Sequence, residues 1–382
     1  MNWRRLQELR EADGDKKFTA QMVNFINEGK IPTHEFSLLG LWEACGRPRL
    51  APDRQVYSGK ITEDDVELEE ALDSSIFPKI TGALINKIVQ EAYTLEYGVG
   101  DSLVRVLPSS LKEETLVGFS EDMELKEVGE GMDYEESSIG EKYHKVKNRK
   151  FGRLISLTEE MVKFDQTGQM ILRAQRIGEA ARYKHEEIIL TAVLGLTNTG
   201  EYAAWRPAGT AATLYSNTST DPYSSATLDN LIVDTLVDET DLDAAITNFA
   251  GFTDEKGKYI HVEPKVLLTA RALEGVAAKI LRSGQSVQLT IPAGTTSIWS
   301  GRVAPKSTSW IDNKKGSAYW WIGDFVKQFV LTQVFPLQVM QAKAGNEKEF
   351  ERDIIYRWKA RLMEGCGAVT NRFVIESTGA GS

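Results

Sequence analysis

Cysteine is almost absent. The 382-residue chain has two, Cys45 and Cys366, too few for a disulfide framework and without the paired spacing of a metal site, so synthesis in a reducing, cytosolic compartment is expected. Histidine is nearly as scarce: His34, His144, His185 and His261 are scattered, and none lies in an HExxH, HxH or paired-cysteine setting. No metal centre is therefore expected. Long apolar runs are missing as well. EEIILTAVLGL at 186–196 falls short of the roughly 18–20 residues of a membrane span, and the opening MNWRRLQELREADGDKK lacks the apolar stretch of a secretory signal. Finally, there is no excess of positive charge. Lys and Arg number 45 against 55 Asp and Glu, a net charge of -10, which argues against sequence-independent binding of nucleic acid, because phosphate neutralisation needs clustered cations in excess. Any relation to DNA is expected to be indirect.

Recognisable catalytic motifs are missing too. Gly251 to Lys258 has five residues between its glycines and Tyr259 after the lysine, whereas a phosphate loop needs four and a hydroxyl residue, so a hairpin turn is expected there. The acidic stretch DETDLDAA at 238–245 lacks the alternating ligands and central glycine of a calcium loop and reads as a solvated helix face. No GxSxG elbow occurs. Trp205, Trp310, Trp320 and Trp321 read as interface or core packing rather than as a ligand platform. Neither an enzyme nor a cofactor is expected.

What the chain does have is an ordinary globular composition, 42% hydrophobic and 26% charged, and length for two or three structural units. Its first 75 residues are mixed and polar. After Pro78, Leu84, Ile85, Ile88, Val89 and Ala92 share one helical face. Alternation over 119–157 predicts two long strands joined through Gly129, Gly131 and Gly140. The first half of this hairpin holds Glu124, Glu127, Glu130, Asp133 and Glu135; its far end holds Lys145, Lys147 and Arg149. Such a ribbon is either solvated or suited to pairing with a neighbouring copy. A long helix is predicted over about 167–194, with Asp165 near its start and Ile171, Ala174, Ile177, Ala181, Ile188 and Ala192 at helical spacing. Beyond it the pattern is α+β. Residues 225–249 read as a helix or helix pair, and three strand-like runs close the chain, the middle one kinked at Gly365 to Gly367.

This order resembles the tailed-bacteriophage major capsid protein. VGEGMDYEESSIGEKYHKVKNRKFGRLISLTEEMVKFDQTG resembles that family's extended loop running into its spine helix. EKGKYIHVEPKVLLTARALEGVAAKILRS resembles the axial-domain strand and Ala-rich helix, closest to Mu-type head subunits, and RWKARLMEGCGAVTNRFVIES resembles the closing peripheral-domain strands. Together they cover roughly residues 76–377.

The resemblance implies an α+β capsid fold. Its parts are an N-terminal helical extension at 1–75, a scaffold-like domain or arm, and a docking helix within 76–118. An extended hairpin follows at 119–156, then a peripheral domain at 157–222 and 326–382 containing the spine helix, and an axial domain at 223–325. It implies self-assembly into hexamers and pentamers around phage double-stranded DNA, in a virion built in the host cytoplasm. Portal and scaffold proteins, and a decoration protein, are the further partners; no membrane is involved. The implied inter-subunit contacts are Glu124, Glu127, Glu130, Asp133, Glu135, Lys145, Lys147, Arg149 and the aromatic anchors Trp299 and Trp310. The rival readings are an encapsulating nanocompartment of the same fold and an unrecognised α+β hydrolase or ligand-binding protein.

Overall fold

The computed structural model describes residues 15–30, 37, 38, 41, 76–94, 98–119, 141–197, 200–207, 209–217, 219, 220, 227–253, 258–281, 299–343 and 354–379. Helices α1 (Asp15–Asn27) and α2 (Ile76–Thr94) come first. They are followed by β1 (Arg105–Pro108), β2 (Glu113–Phe119), β3 (Glu141–Lys147) and β4 (Arg149–Thr158), then the short α3 (Glu159–Lys163) and the long α4 (Thr167–Val193). Next come β5 (Ser219–Thr220), β6 (Thr227–Leu228), β7 (Leu231–Ile232), α5 (Glu239–Phe249), β8 (Val266–Ala270), α6 (Glu274–Leu281) and β9 (Ala304–Thr308). The chain closes with α7 (Ser309–Lys314), β10 (Trp320–Gly323), α8 (Phe325–Gln328), β11 (Phe329–Lys343), β12 (Ile354–Ala368) and β13 (Val374–Ser377). One sheet has the order β1-β11-β12-β4, a second β7-β13-β10-β8-β9, and β2-β3 and β5-β6 form ribbons. The architecture is α+β.

Two compact units divide the chain. The first comprises Met1–Glu96, Lys150–Lys184 and Pro336–Leu362. Its core is built on helical periodicity: Phe18, Met22 and Ile26 of α1 recur every four residues and are buried with Phe77, Ile80, Leu84, Ile85, Ile88 and Val89 of α2. All five residues expected on the α2 face, Leu84, Ile85, Ile88, Val89 and Ala92, are buried. The α4 side contributes Met170 and Ala174, with Ile171, Ile177 and Ala181 half-buried against them. At Gly178 the helices touch backbone to backbone. A Cβ there would lie 2.5 Å from the Val89 carbonyl oxygen and 2.6 Å from Ala92 Cβ.

The second unit comprises Tyr97–Arg149, His185–Phe335 and Met363–Ser382. Its five-stranded sheet is buried on both faces, and the period-two alternation of the strands sorts the side chains. Trp321, Leu268, Ala270 and Val374 face one core with Ile189, Leu190 and Val193 of α4 and Ile311 of α7. Trp320, Ile322, Leu267 and Ile375 face the other, with Leu242, Ala245 and Phe249 of α5 and Ala277, Ile280 and Leu281 of α6. β10 pairs antiparallel with both β13 and β8. Four consecutive buried residues, WWIG, mark it as the central strand.

Several expectations change. The ladder Glu113↔Lys147 to Phe119↔Glu141 makes β2 and β3 the two legs of the hairpin. RKFGRLISLT is instead β4, an edge of the four-stranded sheet, and alternation alone cannot say which sheet a strand joins. Glu124, Glu127, Glu130, Asp133 and Glu135 lie outside the described residues. In the stretch 225–249, expected as a helix or helix pair, Leu231–Ile232 adds a parallel strand beside β13, and among its described residues the helix is α5, opened by a capping box between Asp238 and Asp241. The stretch expected to kink at Gly365 to Gly367 lies within β12, which is hydrogen-bonded as strand through both glycines. Those glycines answer a close approach: a Cβ on Gly365 would sit 2.5 Å from the Lys147 carbonyl oxygen, and one on Gly367 2.7 Å from Val146 Cγ2.

Candidate functional site

Of the ten residues singled out in the sequence, Lys145, Lys147 and Arg149 lie together at the base of the β2/β3 hairpin, in the second unit. The Lys145 ammonium lies 3.5 Å from the Glu113 carboxylate across the ladder. Lys147 pairs with Glu201 and lies 5.6 Å from the Tyr202 ring centroid, while the Arg149 guanidinium stacks 3.4 Å above the same ring. His144 is buried against Trp205 with ring centroids 4.7 Å apart. Glu201, Tyr202 and Trp205 thus grip β3 and the start of β4 through charge, cation–π and stacking contacts. Each exposed term contributes only about 0 to 1 kcal/mol, and their joint effect is orientation.

The gripping loop is itself held. Arg206 donates to the carbonyls of Glu201 (2.8 Å) and Gly209 (3.1 Å), and the Ala368 amide of β12 donates to Ala204 (2.8 Å). Asn148, between β3 and β4, is buried; its amide nitrogen donates to the Leu111 carbonyl (2.8 Å) and the Ser109 hydroxyl (3.2 Å), and its oxygen accepts from the Thr332 hydroxyl (2.6 Å). Sequence reasoning did not find this role, because the partners are spread along the chain. The other two expected residues are engaged locally. Trp299 donates its indole N–H to Asp243 and packs against the α5/α6 core. Trp310 is half-buried against the α4/α7 core.

A second polar cluster was equally invisible in the sequence. His185, 4% exposed, has Nδ1 2.8 Å from Glu364 Oε1 and Nε2 2.7 Å from Asp101 Oδ1. Burial opposes a charged ring, but hydrogen bonds and charge from Asp101 and Glu364 outweigh it and raise the imidazole to about 9. An imidazolium donates from both nitrogens, which is what two flanking carboxylates require. The adjacent Glu186 accepts the amides of Val99 (2.8 Å) and Gly100 (2.9 Å). Helix α4 thereby holds the segment that leads into β1. Cys366 lies nearby in sequence, but burial pushes its thiol far up and leaves it protonated.

Nucleophile, base and oxyanion donors do not converge in these clusters; what they do is fix backbone segments. Among the described residues, no group of three His, Cys, Asp or Glu side chains is placed to hold a metal, and no helix is long and apolar enough to cross a membrane.

Residues 143–375 match the protein family described as phage capsid protein. No curated protein matches the sequence. Similar solved structures include the capsid of the cyanophage P-SCSP1u, 9% identical with a TM-score of 0.47 over 73% of this chain and 87% of that one. The procapsid of bacteriophage JBD30 is 12% identical, with a TM-score of 0.39 over 83% and 76% of the two chains. A virus-like particle from Pyrococcus furiosus is 7% identical, with a TM-score of 0.43 over 77% and 97%.

Proposed function

The chain belongs to the phage capsid protein family, and on that premise we propose that it is the major head subunit of a tailed phage, closing as hexamers and pentamers into an icosahedral shell around double-stranded DNA. The single observation that carries the proposal is the family match across 143–375, which takes in most of β3, all of α4 and the five-stranded sheet up to the first half of β13. The closer likeness to Mu-type head subunits belongs to the same proposal.

A ring of identical subunits is heterologous, so different surfaces of one chain must be complementary. The hairpin supplies one such surface. Its acidic segment, with Glu124, Glu127, Glu130, Asp133 and Glu135, reaches a neighbouring copy, while Lys147 and Arg149, already paired with Glu201 and Tyr202, aim it. Lys145, on the same ladder, and Trp299 and Trp310, bordering their cores, complete the contact set. Exposed ion pairs are weak singly, so their work is register and specificity.

The role is structural rather than enzymatic, and assembly takes place in the host cytoplasm with portal and scaffold proteins, a decoration protein binding where the shell carries one. The negative balance of charge suits a lining along which packaged DNA slides. Electron microscopy of the purified protein, alone and with a co-expressed scaffold partner, tests the proposal. Closed shells are expected; a monomer or dimer under every assembly condition would sink it.

A further inference from the structure

The second unit is made of three separate stretches of chain, Tyr97–Arg149, His185–Phe335 and Met363–Ser382. One member of the His185 cluster stands at the start of each: Asp101 in the first, His185 in the second and Glu364 in the third. A single imidazole thus fastens the three entries to one another.

Its two carboxylate partners are not equivalent. Glu364, with a side chain 1% exposed, closes on Nδ1 with both oxygens, at 2.8 and 2.9 Å. Asp101, with a side chain 56% exposed, meets Nε2 through Oδ1 at 2.7 Å. An imidazolium donates to both, but a neutral imidazole has one N–H and one lone pair. Once the proton leaves, one carboxylate must face the lone pair. Glu364 has no water to turn to, and a buried charge stripped of its partner is costly, so the remaining N–H stays on Nδ1. Asp101 is the partner that is let go.

A short piece of chain goes with it. Asp101 sits in the one-turn helix Gly100–Ser102, whose entry is held where the Glu186 carboxylate accepts the amides of Val99 and Gly100. That hold depends on glycine, because a Cβ on Gly100 would lie 2.7 Å from Glu186 Oε2 and 3.2 Å from Ile189 Cδ1. Leu103 and Val104 then enter the core with Ile189 and Leu190 and deliver the chain to β1. The charges acting on the ring are Asp101 from the one-turn helix and Glu364 from β12. Glu186, beside it on α4, is engaged by backbone amides, and Cys366 on β12 is held protonated by burial.

We infer that His185 is a proton-operated clasp: charged, it ties the Gly100–Ser102 turn to α4 and β12; neutral, it keeps Glu364, releases Asp101 and loosens residues 99–104. Burial opposes the charged ring, and the two carboxylates outweigh it, so that it titrates at about 9. The clasp is therefore closed at neutral pH and opens as pH rises through that value. The device acts within one subunit, whatever that subunit assembles into.

Nuclear magnetic resonance of the soluble full-length protein tests it, with 15N-labelled histidine and 13C-labelled Val, Leu and Ile methyls followed from neutral to alkaline pH. The His185 ring, assigned with His185→Gln, is expected to titrate well above the ordinary 6.5 and to carry its last proton on Nδ1. The methyls of Val99, Leu103 and Val104 are expected to move with the same midpoint while Ile322 of β10 stays still. Asp101→Asn changes an exposed side chain and keeps the fold; it is expected to lower the ring's midpoint by about one pH unit or more and to abolish the shared methyl transition. A ring that titrates at or below 6.5, or a neutral form protonated on Nε2, overturns the inference. So do methyls that stay still through the ring's titration, a transition that Ile322 shares, or an Asp101→Asn protein whose methyls move as in wild type.

Discussion

His185 shows how one side chain sets a pH window. Its folded pKa of about 9 stands above the ordinary imidazole value of 6.5, so the stabilisation from its charge is complete below about pH 6.5 and is lost as pH rises through 9. A shift of that size corresponds to about 3 kcal/mol. Urea denaturation should therefore show wild-type stability falling between pH 6.5 and 10, while His185→Gln, which never carries the charge, loses most of that dependence. The variant should also be less stable than wild type at pH 6 by about 3 to 5 kcal/mol, because a buried carboxylate loses its charged partner. None of this was legible in the sequence. Asp101 lies 84 residues from His185 and Glu364 lies 179 away, so nothing local distinguishes this histidine from His34 or His261.

At the scale of elements, legibility follows periodicity. Helix α2 and the α4 spine were readable because each buries one stripe, and a stripe writes a repeat of three and four into the sequence. What lies on the other side of the stripe was not readable. Gly178 looked like any helix glycine, yet it is where α2 and α4 meet. Gly178→Ala, favourable in an isolated helix, should destabilise the protein by about 1 to 3 kcal/mol through overpacking, as measured by chemical denaturation. The partner of β4 was equally hidden, because alternation gives a strand its faces but not its neighbours. The hairpin base yields a kinetic prediction. Removing the grip of Tyr202 and Trp205 with Tyr202→Ala/Trp205→Ala should speed amide exchange in residues 143–147 at least tenfold and leave β10 protected. Lys145→Ala should change stability by less than about 1 kcal/mol, since its ion pair is half-exposed.

For the whole molecule, the order of segments mattered more than any residue. The three quoted stretches are weak signatures one by one, and they pointed to a capsid protein because they occur in sequence along one chain. Shell geometry stays out of reach of such reading, since it depends on small angles between identical copies and no local pattern encodes an angle. Replacing 121–139 with a short glycine-rich turn that preserves the β2/β3 ladder should leave a subunit with unchanged unfolding behaviour that no longer closes shells in electron micrographs. Shells identical to wild type would refute the role given to the hairpin.

Asn148 then acquires a mechanical meaning. In the proposed shell, pressure would pull on the arms that join subunits, and tension carried along β3 would pass the β2/β3 ladder on its way to the body of the subunit. It would arrive at a buried amide tethered to Leu111, Ser109 and Thr332. In the proposed shell Asn148 would serve as a strain relief, like the collar where a cable enters its housing: force on the arm would end in three hydrogen bonds.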